Sequence, residues 1–440
     1  MFIARRSGAV VFASRRERFM RQMERGVAVL RNPPARPGVR RYRPDPNFYY
    51  LTGLAEPDAV CVLAPEHPQE HFILFVRPKS WKEELWTGQR LGVEGAREAL
   101  GADAAFPLQE LDEKVGAYLQ TAERLYYPAE SEEGFDGRVW EWLKRYGRER
   151  AQGGRGPWQW VDARVMLHEM RLFKDDVELA AMRRAAAISA AGHRAAREAA
   201  RPGSYEFEIE AVLEAAFRSA GADGVAFNPI VASGANATIL HYEANNRQIG
   251  ENDLVLIDAA ASYDYYAADI TRTFPVAGTF TPPQRALYDI VLAAFQAATA
   301  CLRPGYPFAA VHQAAQRVLV AGLVDLGWLQ GDVETLIAEK KQEPFYMHGT
   351  CHSVGLSVHD PGPLRLHEES RPLEPGLAFT VEPGLYVASH QEGVPEEFRG
   401  IGIRIEDTVV ITPEGYENLT EAAPKEPSGA GRLAFTYKRP

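Results

Sequence analysis

Three histidines fall within twelve positions in the segment His348-Gly-Thr-Cys-His352-Ser-Val-Gly-Leu-Ser-Val-His359-Asp360, among small and apolar residues. Seven of the eleven histidines lie beyond residue 240, and four stand between His348 and His367. A neutral imidazole ligates metals and exchanges a proton near neutral pH, so this concentration marks a site and not scattered core residues. Carboxylates inside apolar strands are the second signal. Leu254-Val-Leu-Ile-Asp258 ends a β-like run in an acid, and Tyr266-Ala-Ala-Asp269-Ile-Thr-Arg-Thr273 runs back after a turn at 262–264. Leu377-Ala-Phe-Thr-Val-Glu382 buries a third acid. Gly402-Ile-Arg-Ile-Glu406 sets Arg404 and Glu406 on one face with isoleucines on the other.

One such acid is explained by a neighbouring base or a turn. Four in core-like strands carry a large desolvation cost unless cations offset it. Arg272 and Arg404 are the bases close by in sequence. Two divalent metals would set +4 against the −4 of Asp258, Asp269, Glu382 and Glu406. His352 adds one nitrogen. A set dominated by oxygen with a single imidazole suits Mn²⁺, with Co²⁺, Fe²⁺ or Zn²⁺ as other occupants.

The elements that must hold these residues follow from pattern. Residues 254–273 read as a hairpin that brings Asp258 and Asp269 to neighbouring places on adjacent strands. Upstream, Asp175 and Glu178 form a capping box for a helix that ends at Arg201-Pro202-Gly203, and Ser204 opens another that stops at Gly221. Thr281-Pro282-Pro283-Gln284 starts a third helix, which ends at Pro304-Gly305. Two helical stretches, each followed by β-rich sequence, look like two halves of one domain, although their identity is too low to establish a repeat.

The first 165 residues alternate strands at Val27–Leu30, Ala59–Leu63, Phe72–Val76 and Leu125–Tyr127 with helices at Arg15–Met23, Glu94–Leu100 and Gln109–Leu119. The turn cluster Gln152–Pro157 marks a boundary region. The expected division is a small N-terminal α/β domain at 1–170, a catalytic domain at 171–420 and a loose tail at 421–440.

Composition removes several classes. Formal charge is 49 − 59 = −10, against nucleic acid or an anionic membrane as partner. No apolar run nears the roughly 18 residues of a membrane span. Three cysteines, Cys61, Cys301 and Cys351, give no disulfide framework and fit a reducing cytoplasm. Twelve arginines against three acids in the first fifty residues have a transit-peptide flavour. The helix and strand that begin by Arg15 leave too little leader for that reading.

The phrases LIDAA, AADITRTF, HGTCHSVGLSVHD, TVEPGLY and GIRIED, carrying Asp258, Asp269, His352, Glu382 and Glu406 in order, resemble the metallopeptidase family with the pita-bread fold. Within it they are similar to the bacterial Xaa-Pro aminopeptidases. FYYLTGLAEPDAV near residue 50 and LWTGQRLG at residue 85 extend the likeness, which covers about residues 15–420. The resemblance implies an α/β (α+β) chain whose catalytic domain has pseudo-twofold halves. It implies two metals bridged by Asp269 and Glu406, with Asp258 completing one shell and His352 and Glu382 the other. His241 matches the family's substrate-site histidine. His348 and His359 match those flanking the ligand, His359 beside the scissile carbonyl oxygen. Arg404 and Tyr386 match positions behind the ligands or beside the substrate. Trp86 lies in the domain that shapes access, where packing or an oligomer contact is the plainer role for an exposed tryptophan.

The implied reaction is hydrolysis of the bond between an N-terminal residue and a following proline by a metal-bridging hydroxide, with Glu382 carrying the proton. The implied partners are peptides with proline second and further copies of the chain, as a dimer or tetramer. Prolidase shares the fold and metals but takes only dipeptides; the stretch His241-Tyr-Glu-Ala-Asn-Asn-Arg is nearer the aminopeptidase version. A silent peptide-binding module is the reading from another class, and such modules usually lose ligands that this chain keeps.

Overall fold

The computed structural model describes residues 9–35, 41–129 and 134–425, in two compact units, Met1–Arg171 and Leu172–Pro440. The expected tail beyond residue 425 lies outside the described residues.

In the first unit the strands β1 (Gly26–Asn32), β2 (Ala59–Leu63), β3 (Phe72–Val76), β4 (Ala104–Pro107), β5 (Arg124–Tyr126) and β6 (Gln159–Val161) form one sheet in the order β4-β3-β2-β1-β5-β6. β1–β2 and β2–β3 run antiparallel, and the outer pairs are parallel. Every residue of β2 and β3 is buried, so their sequences read as unbroken apolar runs without alternation. β2 and β3 form at the expected bounds, whereas β5 sits one residue earlier than 125–127. Helix Phe135–Ala151 was not expected, because its composition is mostly polar. It buries a narrow stripe of Phe135, Val139, Trp142 and Tyr146 against the sheet core. The turn at 152–157 joins that helix to β6 inside the first unit.

The second unit is built twice over. Helices Asp176–Ala199 and Glu206–Ser219 precede β7 (Gly224–Val225), β8 (Ile230–Ser233), β9 (Leu254–Asp258), β10 (Ala261–Tyr263), β11 (Tyr266–Ala267) and β12 (Thr271–Pro275). Helices Pro282–Thr299 and Ala309–Asp325 precede the small hairpin β13 (Arg365–Leu366) and β14 (Glu369–Ser370), then β15 (Ala378–Val381), β16 (Gly384–Val387), β17 (Ile401–Arg404), β18 (Asp407–Thr412) and β19 (Gly415–Asn418). The two halves expected from the sequence are present.

The capping box at Asp175 forms: its side chain accepts from the Val177 and Glu178 amides at 3.0 Å, while Glu178 accepts from the Asp175 amide at 3.1 Å. The other Glu178 oxygen accepts from the Tyr266 hydroxyl at 3.1 Å, which ties the helix start to β11. Small residues on the buried face let this helix lie close to the strands. Ser189 Oγ accepts from the Ala261 amide at 2.8 Å, and His193 Nε2 bonds the Ala259 carbonyl at 2.8 Å.

The halves meet along β12 and β17. An isolated bridge pairs Thr271 with Glu406, and Thr273 Oγ1 donates to the Arg404 carbonyl at 2.9 Å. Here Gly402 is needed for close approach, since a Cβ would stand 1.9 Å from the Ala237 carbonyl oxygen.

Candidate metal centre

Each acid of the expected set ends a strand or sits in the break between two. Asp258 is the last residue of β9 and pairs with Thr271; Asp269 stands in the gap between β11 and β12, two residues before that partner. Glu382 lies between β15 and β16, and Glu406 between β17 and β18. At such breaks the backbone leaves the ladder and the side chain can turn to a common point. The ladder on either side fixes its direction.

The structure brings the five side chains together. Ligand atoms of Asp269, His352 and Glu406 lie within 4.8 Å of one another. His352 Nε2 is 3.5 Å from Asp269 Oδ2 and 3.4 Å from Glu382 Oε1. All five line one cavity of about 700 Å³ with His241, His348, His359 and Arg404. The His352 and His359 rings are edge to face at 4.4 Å. Tyr386 stands behind this wall: its hydroxyl meets His348 Nε2 at 2.8 Å and accepts from Arg404 at 3.0 Å. Trp86 is 90% exposed on the first unit, and the residues lining the cavity belong to the second.

The charge balance is more lopsided than sequence proximity implied. Arg272 is committed elsewhere. It pairs with the buried Asp407 at 2.6 Å and donates to the carbonyls of Thr271, Glu406 and Ala423. Arg404 is then the fixed cation at the site, 2.6 Å from Asp258 Oδ2. Burial pushes Asp269 up to about 6 and Glu382 up to about 7, and it pushes Glu406 well above the usual carboxylate range. Burial alone would lower His352, but its hydrogen bond to Asp269 and the nearby acids outweigh that and raise it to about 9. Burial and the charge of Arg404 depress His348 to about 4. Asp258 Oδ1 and Asp269 Oδ1 are buried with no hydrogen-bond partner. Crowded acids short of positive charge, with orphaned oxygens beside one imidazole, fit divalent cations.

Three threonines escaped the sequence reading. Thr271 Oγ1 donates to Glu406 Oε2 at 2.6 Å. Thr380 Oγ1 bonds Glu382 Oε1 at 3.2 Å and accepts from the His352 amide at 3.0 Å. Thr408 Oγ1 donates to the Asp269 carbonyl and accepts from its amide, both at 2.9 Å. Thr271, Thr380 and Thr408 each stand two residues from an acid of the converging set. That same-face spacing was the available signal.

Residues 180–413 match metallopeptidase family M24, and residues 12–126 match the aminopeptidase P N-terminal domain. The chain is 43% identical to the Xaa-Pro aminopeptidase of Escherichia coli K12, over 97% of this chain and 98% of that one. It is 40% identical to the Xaa-Pro aminopeptidase of Haemophilus influenzae, over 94% and 95% of the two. Among solved structures, Pseudomonas aeruginosa aminopeptidase PepP superposes with a TM-score of 0.92 at 43% identity, covering 97% of each chain. A zinc-substituted E. coli aminopeptidase P in complex with product superposes with a TM-score of 0.91 at 41% identity, covering 96% of each.

Proposed function

The chain belongs to metallopeptidase family M24, and from that premise we infer that it is an Xaa-Pro aminopeptidase, hydrolysing the bond between a peptide's first residue and a following proline. The observation that carries this reading is the convergence of Asp258, Asp269, His352, Glu382 and Glu406 on one cavity walled by His241, His348 and His359. The enzyme uses divalent metal. We propose two ions, with Mn²⁺ as the working metal. Asp269 and Glu406 would be shared between them, Asp258 would complete one shell, and His352 and Glu382 the other. Bound there, such a pair lowers the pKa of a water and polarises a carbonyl.

The chain's own residues do the rest. Glu382 accepts the proton of the attacking water at a carboxylate oxygen and returns it to the departing proline nitrogen. His359 faces the carbonyl oxygen and donates to it as charge develops there. His241 and His348 form walls for the proline. That residue has no amide N–H and a fixed φ, so shape must replace the handle other peptidases grip. Arg404 holds Asp258 and, through Tyr386, His348. Asp269 and Glu406 cannot both stay charged and adjacent without cations, so emptying the site favours proton uptake by one of them.

No helix among the described residues is long and apolar enough to cross a membrane, and the three cysteines are unpaired. A cytoplasmic enzyme fits both facts. The exposed Trp81, Leu85 and Trp86 support assembly into a homo-oligomer through the first unit, with Trp86 as a contact residue.

The test is a peptide panel varying the second residue, assayed with Mn²⁺. Turnover should be confined to peptides with proline second and should include Xaa-Pro-Xaa. Cleavage of Xaa-Pro dipeptides alone would reassign the enzyme as a prolidase. Chelation, or Asp269→Asn, should abolish turnover, and two metal equivalents per chain should restore the chelated wild type.

A further inference from the structure

Glu206, the first residue of helix Glu206–Ser219, is fully buried, and among the described residues no basic side chain pairs with it. Its carboxylate is instead surrounded by hydrogen-bond donors. Oε1 accepts from the Ser233 amide and hydroxyl, both at 2.7 Å, and from Asn236 Nδ2 at 3.2 Å. Oε2 accepts from the Tyr242 hydroxyl at 2.7 Å and the Arg247 amide at 2.9 Å. The Arg247 guanidinium stands one hydroxyl away, on Ser233 Oγ, and pairs directly with Asp253.

All of these donors belong to the segment 233–247. That segment presents Leu240, His241 and Glu243 to the metal-site cavity. His241 is itself exposed. Its neighbours are held firmly: Tyr242 is buried on Glu206, and Asn245 is buried at φ 42°, bonding the Pro229 carbonyl at 2.9 Å and the Val231 amide at 3.0 Å. A buried carboxylate without a counter-ion is costly and is tolerated only when fully hydrogen-bonded. The helix N-terminus on which Glu206 stands also favours its charge. One carboxylate thus gathers both ends of the segment and the residue beside His241.

We infer that Glu206 is a positioning residue for His241: by binding the segment at Ser233, Asn236, Tyr242 and Arg247, it fixes where that imidazole stands in the cavity. This rests on the reading of His241 as a substrate wall. Displacing such a group by a fraction of an ångström is felt in substrate binding while the metal ligands stay in place.

The experiment is a double-mutant cycle on the Mn²⁺-loaded enzyme with an Xaa-Pro-Xaa substrate, using Glu206→Gln, His241→Ala and the pair. Glu206→Gln should raise KM about tenfold with kcat changed less than about threefold, and should add less than about twofold once His241 is alanine. Metal content per chain should be unchanged. In the metal-free protein the His241 ring resonance should move while that of His348 does not. If Glu206→Gln fails to fold, Tyr242→Phe, which removes one donor, replaces it in the same cycle. Equal effects in both backgrounds, or loss of metal, would overturn the inference and leave a merely structural carboxylate. A silent His241→Ala would instead remove the substrate role of His241, and the inference with it.

Discussion

At the scale of single residues, the site is an arrangement of acids whose directions are set by hydroxyls. Thr271 is the sharpest case, since its short bond to Glu406 is made inside the seam and Arg404 Nε donates to the same oxygen at 3.2 Å. Thr271→Val keeps the shape and removes both contacts. It should weaken metal binding about 10–100-fold without unfolding the protein. Competition against a fluorescent chelator measures this, and an unchanged affinity would show that the strand break alone orients Glu406. The five side chains that converge on the cavity could be picked out in the sequence because buried acids and clustered histidines are chemically improbable without a purpose. The threonines could not, because a threonine in a strand is ordinary and only its partner across the seam makes it matter.

At the scale of elements, buried polar pairs fix the segments that carry the histidines. Lys174, just ahead of helix Asp176–Ala199, is 3.4 Å from Asp360 with both side chains almost wholly excluded from water. Asp360 follows His359 and also accepts from the Ser357 amide at 3.1 Å. Lys174→Met removes the cation beside a buried carboxylate and should cost about 3–5 kcal/mol, read as a lowered unfolding midpoint in denaturant. An unchanged midpoint would mean that water reaches Asp360.

His193 supplies a pH test. Burial pushes it down to about 4, against the opposing bond to the Ala259 carbonyl. It is therefore neutral in the fold, while the unfolded chain takes up its proton as pH falls past 6.5. The stability it contributes is complete above 6.5 and is lost on acidification through 4. The difference in unfolding free energy between wild type and His193→Gln should shrink across that window by on the order of 3 kcal/mol. A flat difference would contradict a neutral buried ring.

Capping boxes and apolar runs made most of these elements readable in advance, with β2 and β3 falling at their expected ends. Helix Phe135–Ala151 was hidden because its buried stripe is thin within a charged sequence. The break between β11 and β12 that holds Asp269 has no signature in apolar alternation.

At the scale of the molecule, the centre draws Asp258 and Asp269 from one half of the second unit and His352, Glu382 and Glu406 from the other. Metal then binds the folded chain far better than the unfolded one. Free metal at 100 times its dissociation constant should add about 2.7 kcal/mol of stability. Differential scanning calorimetry of chelated and reloaded protein checks this; identical midpoints would show that the ions contribute nothing to holding the halves.

The seam has one more consequence. It is laced by polar contacts on either side of the centre: Arg404 on Asp258, Thr408 on the backbone of Asp269, Arg272 on Asp407, and Thr273 on the Arg404 carbonyl. The ligand cluster spans that joint as a vernier spans two scales. A substitution that slides the halves apart by a fraction of an ångström leaves each half intact, with its helices packed and its strands paired. It spreads the five converging side chains nonetheless. For this fold, retained metal is a finer gauge of alignment than any melting curve.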